Sequence, residues 1–140
     1  MAIVYLALGS NLGDRRHHIE KAVAELKSCG VKVLKLSTVI ETDPVGGPLQ
    51  GKFLNAVLKA GTLHSPEELI VFIQSIERKL GRVKKVFQGP RVIDIDILLY
   101  DDIKLITPRL LIPHPRMLER SFVMEPLKEI APALCASFAV

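Results

Sequence analysis

Charge of one sign, paired cysteines and long apolar runs are all scarce in this chain, and each shortage removes a class. The 140 residues carry a formal net charge of +4. That is modest for the length and suits an anionic nucleotide as well as a weak nucleic-acid contact. Cys29 and Cys135 show neither a Cys-x-x-Cys spacing nor a dense framework, so reduced, structural thiols are expected. No apolar run approaches the roughly 18 to 20 residues of a membrane helix. The start, Met1 to Tyr5, lacks the regions of a signal peptide, so a cytoplasmic protein is expected. Repeats, linkers and low-complexity segments are absent. The glycine-rich nucleotide fingerprints are missing as well. Gly9-Ser10-Asn11-Leu12-Gly13-Asp14 is neither Gly-x-Gly-x-x-Gly nor Gly-x-x-x-x-Gly-Lys-Ser/Thr. On spacing alone it is a tight strand-to-helix turn with a polar cap.

What is present is a chain 49% apolar, long enough to bury one core in a single domain over residues 1–140. Residues 3–8 form an apolar run expected as a central strand. Ile19, Ala22, Val23 and Leu26 share one face of a helix over 14–29, stopped by Gly30. A second strand is expected over 31–40, where the apolar phase changes between Val33 and Leu34 as at a bulge. Prolines and glycines then collect over 41–52 in a long connection of the kind that often carries function. In a third strand, 53–60, Leu54, Ala56, Leu58 and Ala60 share one face, leaving Phe53 and Asn55 together on the other. A ring beside an amide suits a flat heterocycle; a surface phenylalanine beside a strand-end asparagine is the plainer alternative. Ser65-Pro66-Glu67-Glu68 is a capping-box helix start, followed by Leu69, Phe72, Ile73, Ile76 and Leu80 at helical spacing up to Gly81.

The most unusual stretch is Gly89-Pro90-Arg91-Val92-Ile93-Asp94-Ile95-Asp96-Ile97-Leu98-Leu99-Tyr100, a β-branched run carrying two carboxylates one residue apart. In a strand Asp94 and Asp96 project from one side, and Ile93, Ile95 and Ile97 from the other. Two like charges held together repel, so something positive is expected between them, and magnesium prefers such hard oxygen ligands. A merely solvated face is the alternative, weakened by the poor strand propensity of aspartate. The basic run Arg82-Val83-Lys84-Lys85 ahead of it is a solvated surface or a flap that meets phosphates. His114 stands between Pro113 and Pro115, which stiffen its backbone. The element order is that of an α+β ferredoxin-like sandwich: a βαββαβ core, two helices on one face of an antiparallel sheet, and a C-terminal extension. The other sheet face is expected to be free and to present Asn55 and the aspartates.

In this order the pieces resemble the 6-hydroxymethyl-7,8-dihydropterin pyrophosphokinase family of folate biosynthesis. The matching residues are Gly9-Ser10-Asn11-Leu12-Gly13, Thr42-Asp43-Pro44, Phe53-Leu54-Asn55, Gly81-Arg82, Gly89-Pro90-Arg91-x-x-Asp94-Ile95-Asp96-Ile97-Leu98, Pro113-His114 and Arg120-x-Phe122. The resemblance implies transfer of the β,γ-pyrophosphoryl unit of ATP to the hydroxymethyl oxygen of the dihydropterin, with AMP released. It implies two magnesium ions on Asp94 and Asp96, and Arg82, Arg91, Asp96 and His114 as the catalytic set. Thr42, Asp43, Val45, Phe53, Asn55 and Phe122 would hold the pterin, with Phe53 and Phe122 as a sandwich. Gln74, Glu77, Arg82, Arg91, Ile97, Arg109, Leu111, His114 and Arg120 would hold ATP. Loops at 46–51 and 84–88 would close over it. Gln88, preceded by Phe87, stands where many members have a large aromatic, and Pro115 stands where some have tyrosine. ATP and the pterin would be the partners of a monomer that needs neither nucleic acid nor membrane. Two other readings compete: a ferredoxin-like RNA-binding module, which needs alternating aromatics on an open sheet, and a magnesium-dependent phosphohydrolase, which leaves Phe53, Asn55 and Phe122 without a task.

Overall fold

A computed structural model describes residues 1–44, 49–81 and 90–138 of the chain. The apolar run at the start becomes β1 (Ala2–Ser10), paired antiparallel with β4 (Phe53–Thr62) on one side and β5 (Asp94–Tyr100) on the other. β2 (Lys32–Leu36) and β3 (Ile40–Thr42) pair with successive stretches of β4, so the sheet runs β2 and β3, β4, β1, β5. α1 (Arg15–Ser28) and α2 (Pro66–Lys79) pack on one face. Between helices and sheet lies a core of Val4, Leu6, Leu8, Leu58, Ile95 and Ile97 with Ile19, Leu26, Leu69 and Ile73. This is the ferredoxin-like arrangement read from the sequence. The chain then makes a hairpin of β6 (Leu105–Ile106) and β7 (Leu111–Ile112), a 3₁₀ turn at Met117–Glu119, and the helices α3 (Ser121–Ile130) and α4 (Pro132–Ala136). Cys29 and Cys135 are free thiols. Among the described residues no helix is long and apolar enough to cross a membrane.

Both main helices begin as their caps dictate. Asp14 accepts the His17 N–H at 3.1 Å at the start of α1. In α2 Ser65 Oγ accepts the Glu68 N–H at 3.1 Å, and Glu68 Oε1 accepts the Ser65 N–H at 2.9 Å. The Ser65 backbone N–H, and after it the hydroxyl, hold the Glu68 carboxyl below its ordinary value. A carboxyl depressed by folding stabilises the fold above its unfolded pKa, and that contribution is lost as pH falls through the folded one. Glu68→Gln keeps the acceptor and loses the charge. Urea unfolding should therefore show it less stable than the parent at neutral pH, with the gap closing in acid as pH falls through the depressed value of the folded carboxyl. A gap unchanged in acid would show that the charge is not the cause.

The structure departs from the sequence reading in two places. The strand expected over 31–40 is two strands, because Ser37 breaks it. Ser37 N donates to Val57 O at 2.9 Å, and Ser37 Oγ accepts the Val57 N–H at 2.9 Å, so a side chain takes over a rung of the ladder. The expected bulge is present as a register shift between Val33 and Lys35. Glu41 and Thr42, expected as the start of the long connection, end β3 instead.

The second departure is larger: the sheet face opposite α1 and α2 is not free. α3 and α4 fold back over part of it and bury a second cluster of Tyr5, Val57, Leu98 and Leu99 with Val123, Leu127, Ile130 and Cys135. Burial of each large apolar side chain contributes on the order of 1.5 to 3 kcal/mol. One extra residue in β5, Leu98, lets both Leu98 and Leu99 join this cluster. The open aromatic platform that an RNA-binding module needs is thereby covered.

Candidate active site

What α3 and α4 leave uncovered is an end of the sheet whose side chains are set by register. Gly9 pairs with Asn55 on one side and Asp94 on the other, and Ala7 likewise with Val57 and Asp96. Two rows therefore cross the sheet: Asn55, Gly9, Asp94, and Val57, Ala7, Asp96. Neighbouring strands lie about 4.8 Å apart, so the backbones of Asn55 and Asp94 stand about 10 Å apart. Gly9 lies between an amide and a carboxylate, and Ala7 between a valine and the second carboxylate. Above them is a cavity of about 310 Å³. Thr42, Asp43, Phe53 and Asn55 line its β4 side. Arg91, Asp94, Asp96, His114 and Arg120 line its β5 side, and Phe122 reaches it from α3.

The amide end is fastened from several directions. Thr42 Oγ1 donates to Asn55 Oδ1 at 2.5 Å, and Asn55 is buried. Arg15, at the start of α1, binds Glu41 at 2.9 Å and donates to Lys52 O at 2.9 Å, closing the base of the β3–β4 connection. Asn11 does more than end a turn. Its Oδ1 accepts the Arg91 N–H at 2.7 Å and its N–H donates to Arg91 O at 3.0 Å. Its Nδ2 donates to Gln50 Oε1 at 2.7 Å and to Gly51 O at 3.1 Å. One buried amide thus binds the end of the β3–β4 connection and the residue that precedes the Asp-x-Asp strand. Gly9, Asn11 and Gln50 were not among the site residues expected from the sequence. The signal was their place in the Gly-Ser-Asn turn and the long connection.

At the carboxylate end Arg91 Nη1 lies 3.7 Å from Asp94 Oδ2. His114 N donates to Leu98 O at 2.9 Å, and His114 Nδ1 accepts the Arg116 N–H at 3.3 Å, which leaves the ring proton on Nε2. Burial, and after it the Arg120 guanidinium, hold the imidazole below the ordinary histidine value, against the pull of Asp94. At neutral pH His114 is therefore an uncharged donor beside cations. Arg120 lies over the Phe122 ring, 5.5 Å from its centroid.

Other expected residues stand elsewhere. The Ile97 side chain is in the helix-side core. Glu77, buried in α2, accepts the Ile95 N–H at 2.9 Å and so steadies the backbone between the two aspartates. Arg109 donates to Gln74 at 3.1 Å, beside a hollow formed with Glu67, Val71 and Phe72. Leu111 is in β7 and exposed. Val45, Arg82, Phe87 and Gln88 lie outside the described residues.

Residues 5–132 match the family described as 7,8-dihydro-6-hydroxymethylpterin-pyrophosphokinase. The chain belongs to this family. It is 48% identical to the 2-amino-4-hydroxy-6-hydroxymethyldihydropteridine pyrophosphokinase of Bacillus subtilis, over 91% of this chain and 77% of that one. The enzyme of the same name from Aquifex aeolicus is also 48% identical, over 94% of this chain and 82% of that one. The folic acid synthesis protein fol1 of Pneumocystis carinii is 47% identical over 91% of this chain, which spans only 17% of that protein. Among solved structures, an HPPK-DHPS in complex with substrates superposes with a TM-score of 0.69 at 15% identity, over 94% of this chain and 40% of that one. The Plasmodium falciparum HPPK-DHPS with pteroate gives 0.70 at 17% identity, over 91% and 38%. At that identity the likeness establishes the fold.

Proposed function

We propose that the chain transfers the pyrophosphoryl unit of ATP to the hydroxymethyl group of 6-hydroxymethyl-7,8-dihydropterin, in folate biosynthesis. The observation that carries this reading is the row Asn55, Gly9, Asp94, which puts a heterocycle-reading amide and a carboxylate pair at two ends of one cavity. A phosphohydrolase needs only the second end.

The pterin lies between Phe53 and Phe122, its edge read by Asn55, Thr42, Asp43 and Val45. Its hydroxymethyl arm runs over Gly9 and Ala7 toward Asp94. The hydroxyl oxygen, giving up its proton to water, bonds to the β-phosphorus of ATP as the bond from that phosphorus to the oxygen bridging to the α-phosphate breaks, and AMP departs with that oxygen. Phosphoryl transfer asks little covalent chemistry of the protein, so positioning and charge carry the rate. Asp94 and Asp96 are two hard carboxylates on one strand face, a donor set that fits magnesium, and we assign both to it. Two bound ions would offset charge on the triphosphate and on the departing oxygen. Arg91, with Arg82, offers forked donors to the transferred phosphates, and His114 Nε2–H and Arg120 add further bonds. Gln74, Glu77, Ile97, Arg109 and Leu111 belong to the nucleotide side of this reading, Glu77 through the strand it steadies. The same reading takes the chain as one pyrophosphokinase domain, acting as a cytoplasmic monomer.

The test is AMP release from ATP and magnesium with and without hydroxymethyldihydropterin. AMP should form only when the pterin is present, in step with the pterin diphosphate. AMP or phosphate released at the same rate without pterin would overturn the transfer.

A further inference from the structure

Some glycines of this chain are explained by their backbone. Gly30 and Gly81 follow helices with φ of +84° and +99°, where a Cβ is strained. Gly9 has no such reason. It lies inside β1, paired on both sides, and its φ is outside the left-handed region. Any L residue could adopt that conformation, so what glycine provides here is space.

The direction of the space is specific. A Cβ at Gly9 would stand 3.1 Å from Asn55 Nδ2, 3.6 Å from Phe53 Cδ1 and 3.8 Å from Leu54 O. All three nearest atoms belong to β4, none to the carboxylate strand. The 3.1 Å approach requires Asn55 to give way by a few tenths of an ångström. Asn55 is buried and bonded to the Thr42 hydroxyl, so it cannot swing aside without losing that bond. We propose that Gly9 is a positioning residue for the heterocycle: its missing side chain sets the orientation of the Asn55 amide and the depth to which the flat ring settles beside Phe53. This rests on the reading of Asn55 and Phe53 as the pterin end of the site.

The test is Gly9→Ala, assayed for the KM of each substrate and for binding of a non-hydrolysable ATP analogue in the absence of pterin. The KM for hydroxymethyldihydropterin should rise about tenfold or more, the value of about 1.4 kcal/mol. The KM for ATP and the analogue affinity should stay within about twofold, because the three atoms nearest the added methyl belong to β4, and circular dichroism should show the variant folded. Equal rises in both KM values, or an unchanged pterin KM, would overturn the proposal. So would a variant that does not fold, since the inference rests on a backbone that accepts any residue. Failure of the parent protein to bind the pterin at all would instead strike the functional reading beneath it.

Discussion

Replacing either strand carboxylate, Asp94→Asn or Asp96→Asn, should lower turnover by about 10³-fold or more while the protein melts as before. The rate loss follows from charge. On the proposed reading each variant removes a hard anionic ligand from the phosphate end of the cavity, and metal assistance of this kind is worth several kcal/mol, at about 1.36 kcal/mol per tenfold. The fold is spared because both side chains are only half-buried at the cavity wall, while the strand is held by Ile95 and Ile97 in the core beneath. Asp94→Asn also frees Arg91 from its ion pair, so the two variants need not be equal. The measurement is steady-state AMP formation at saturating substrates, with circular dichroism as the fold check. Turnover within tenfold of the parent for both variants would remove the metal assignment.

Phe122→Ala should weaken pterin binding by about 10- to 100-fold, which is what loss of one stacked ring amounts to at about 1.5 to 3 kcal/mol. ATP binding should change by less than about threefold. The two must be measured separately, by titrating each substrate alone, because Arg120, proposed above as a phosphate ligand, rests on the same ring. Arg120→Ala is the control, expected to weaken ATP and spare the pterin. Equal losses of both ligands in Phe122→Ala would count against a sandwich and in favour of a general collapse at the start of α3.

Local pattern made much of this protein legible. The caps of α1 and α2, the side-by-side placement of Phe53 and Asn55, and the shared face of Asp94 and Asp96 all follow from periods of 3.6 and 2 that need no knowledge of the rest of the chain. The strand order follows from element order. Hidden from view was whatever depends on residues far apart in sequence. Asn11 looks like a turn residue until Arg91 and Gln50 are placed beside it. Glu77 is one more carboxylate on a helix until Ile95 presents its N–H. The covered sheet face did have a local sign. β1 is apolar on both sides, with Ile3, Tyr5 and Ala7 alternating with Val4, Leu6 and Leu8, and such a run belongs to a strand buried on both faces. The apolar segment near the C-terminus was the obvious cover for the second face.

Phe122 and Val123 stand at the first turn of α3, and Val123, Leu127 and Ile130 root that helix in the second cluster. The ring proposed to stack on the pterin is therefore not carried by the sheet. It is carried by α3, which docks on the sheet face away from α1 and α2. A ligand that touches Phe122 binds only the docked form, so occupancy and docking are thermodynamically linked, and each stabilises the other by the same amount. Hydrogen exchange in α3 should therefore slow when substrate binds, and β1 amides that exchange only by global unfolding should slow with it, since the ligand holds the whole folded chain.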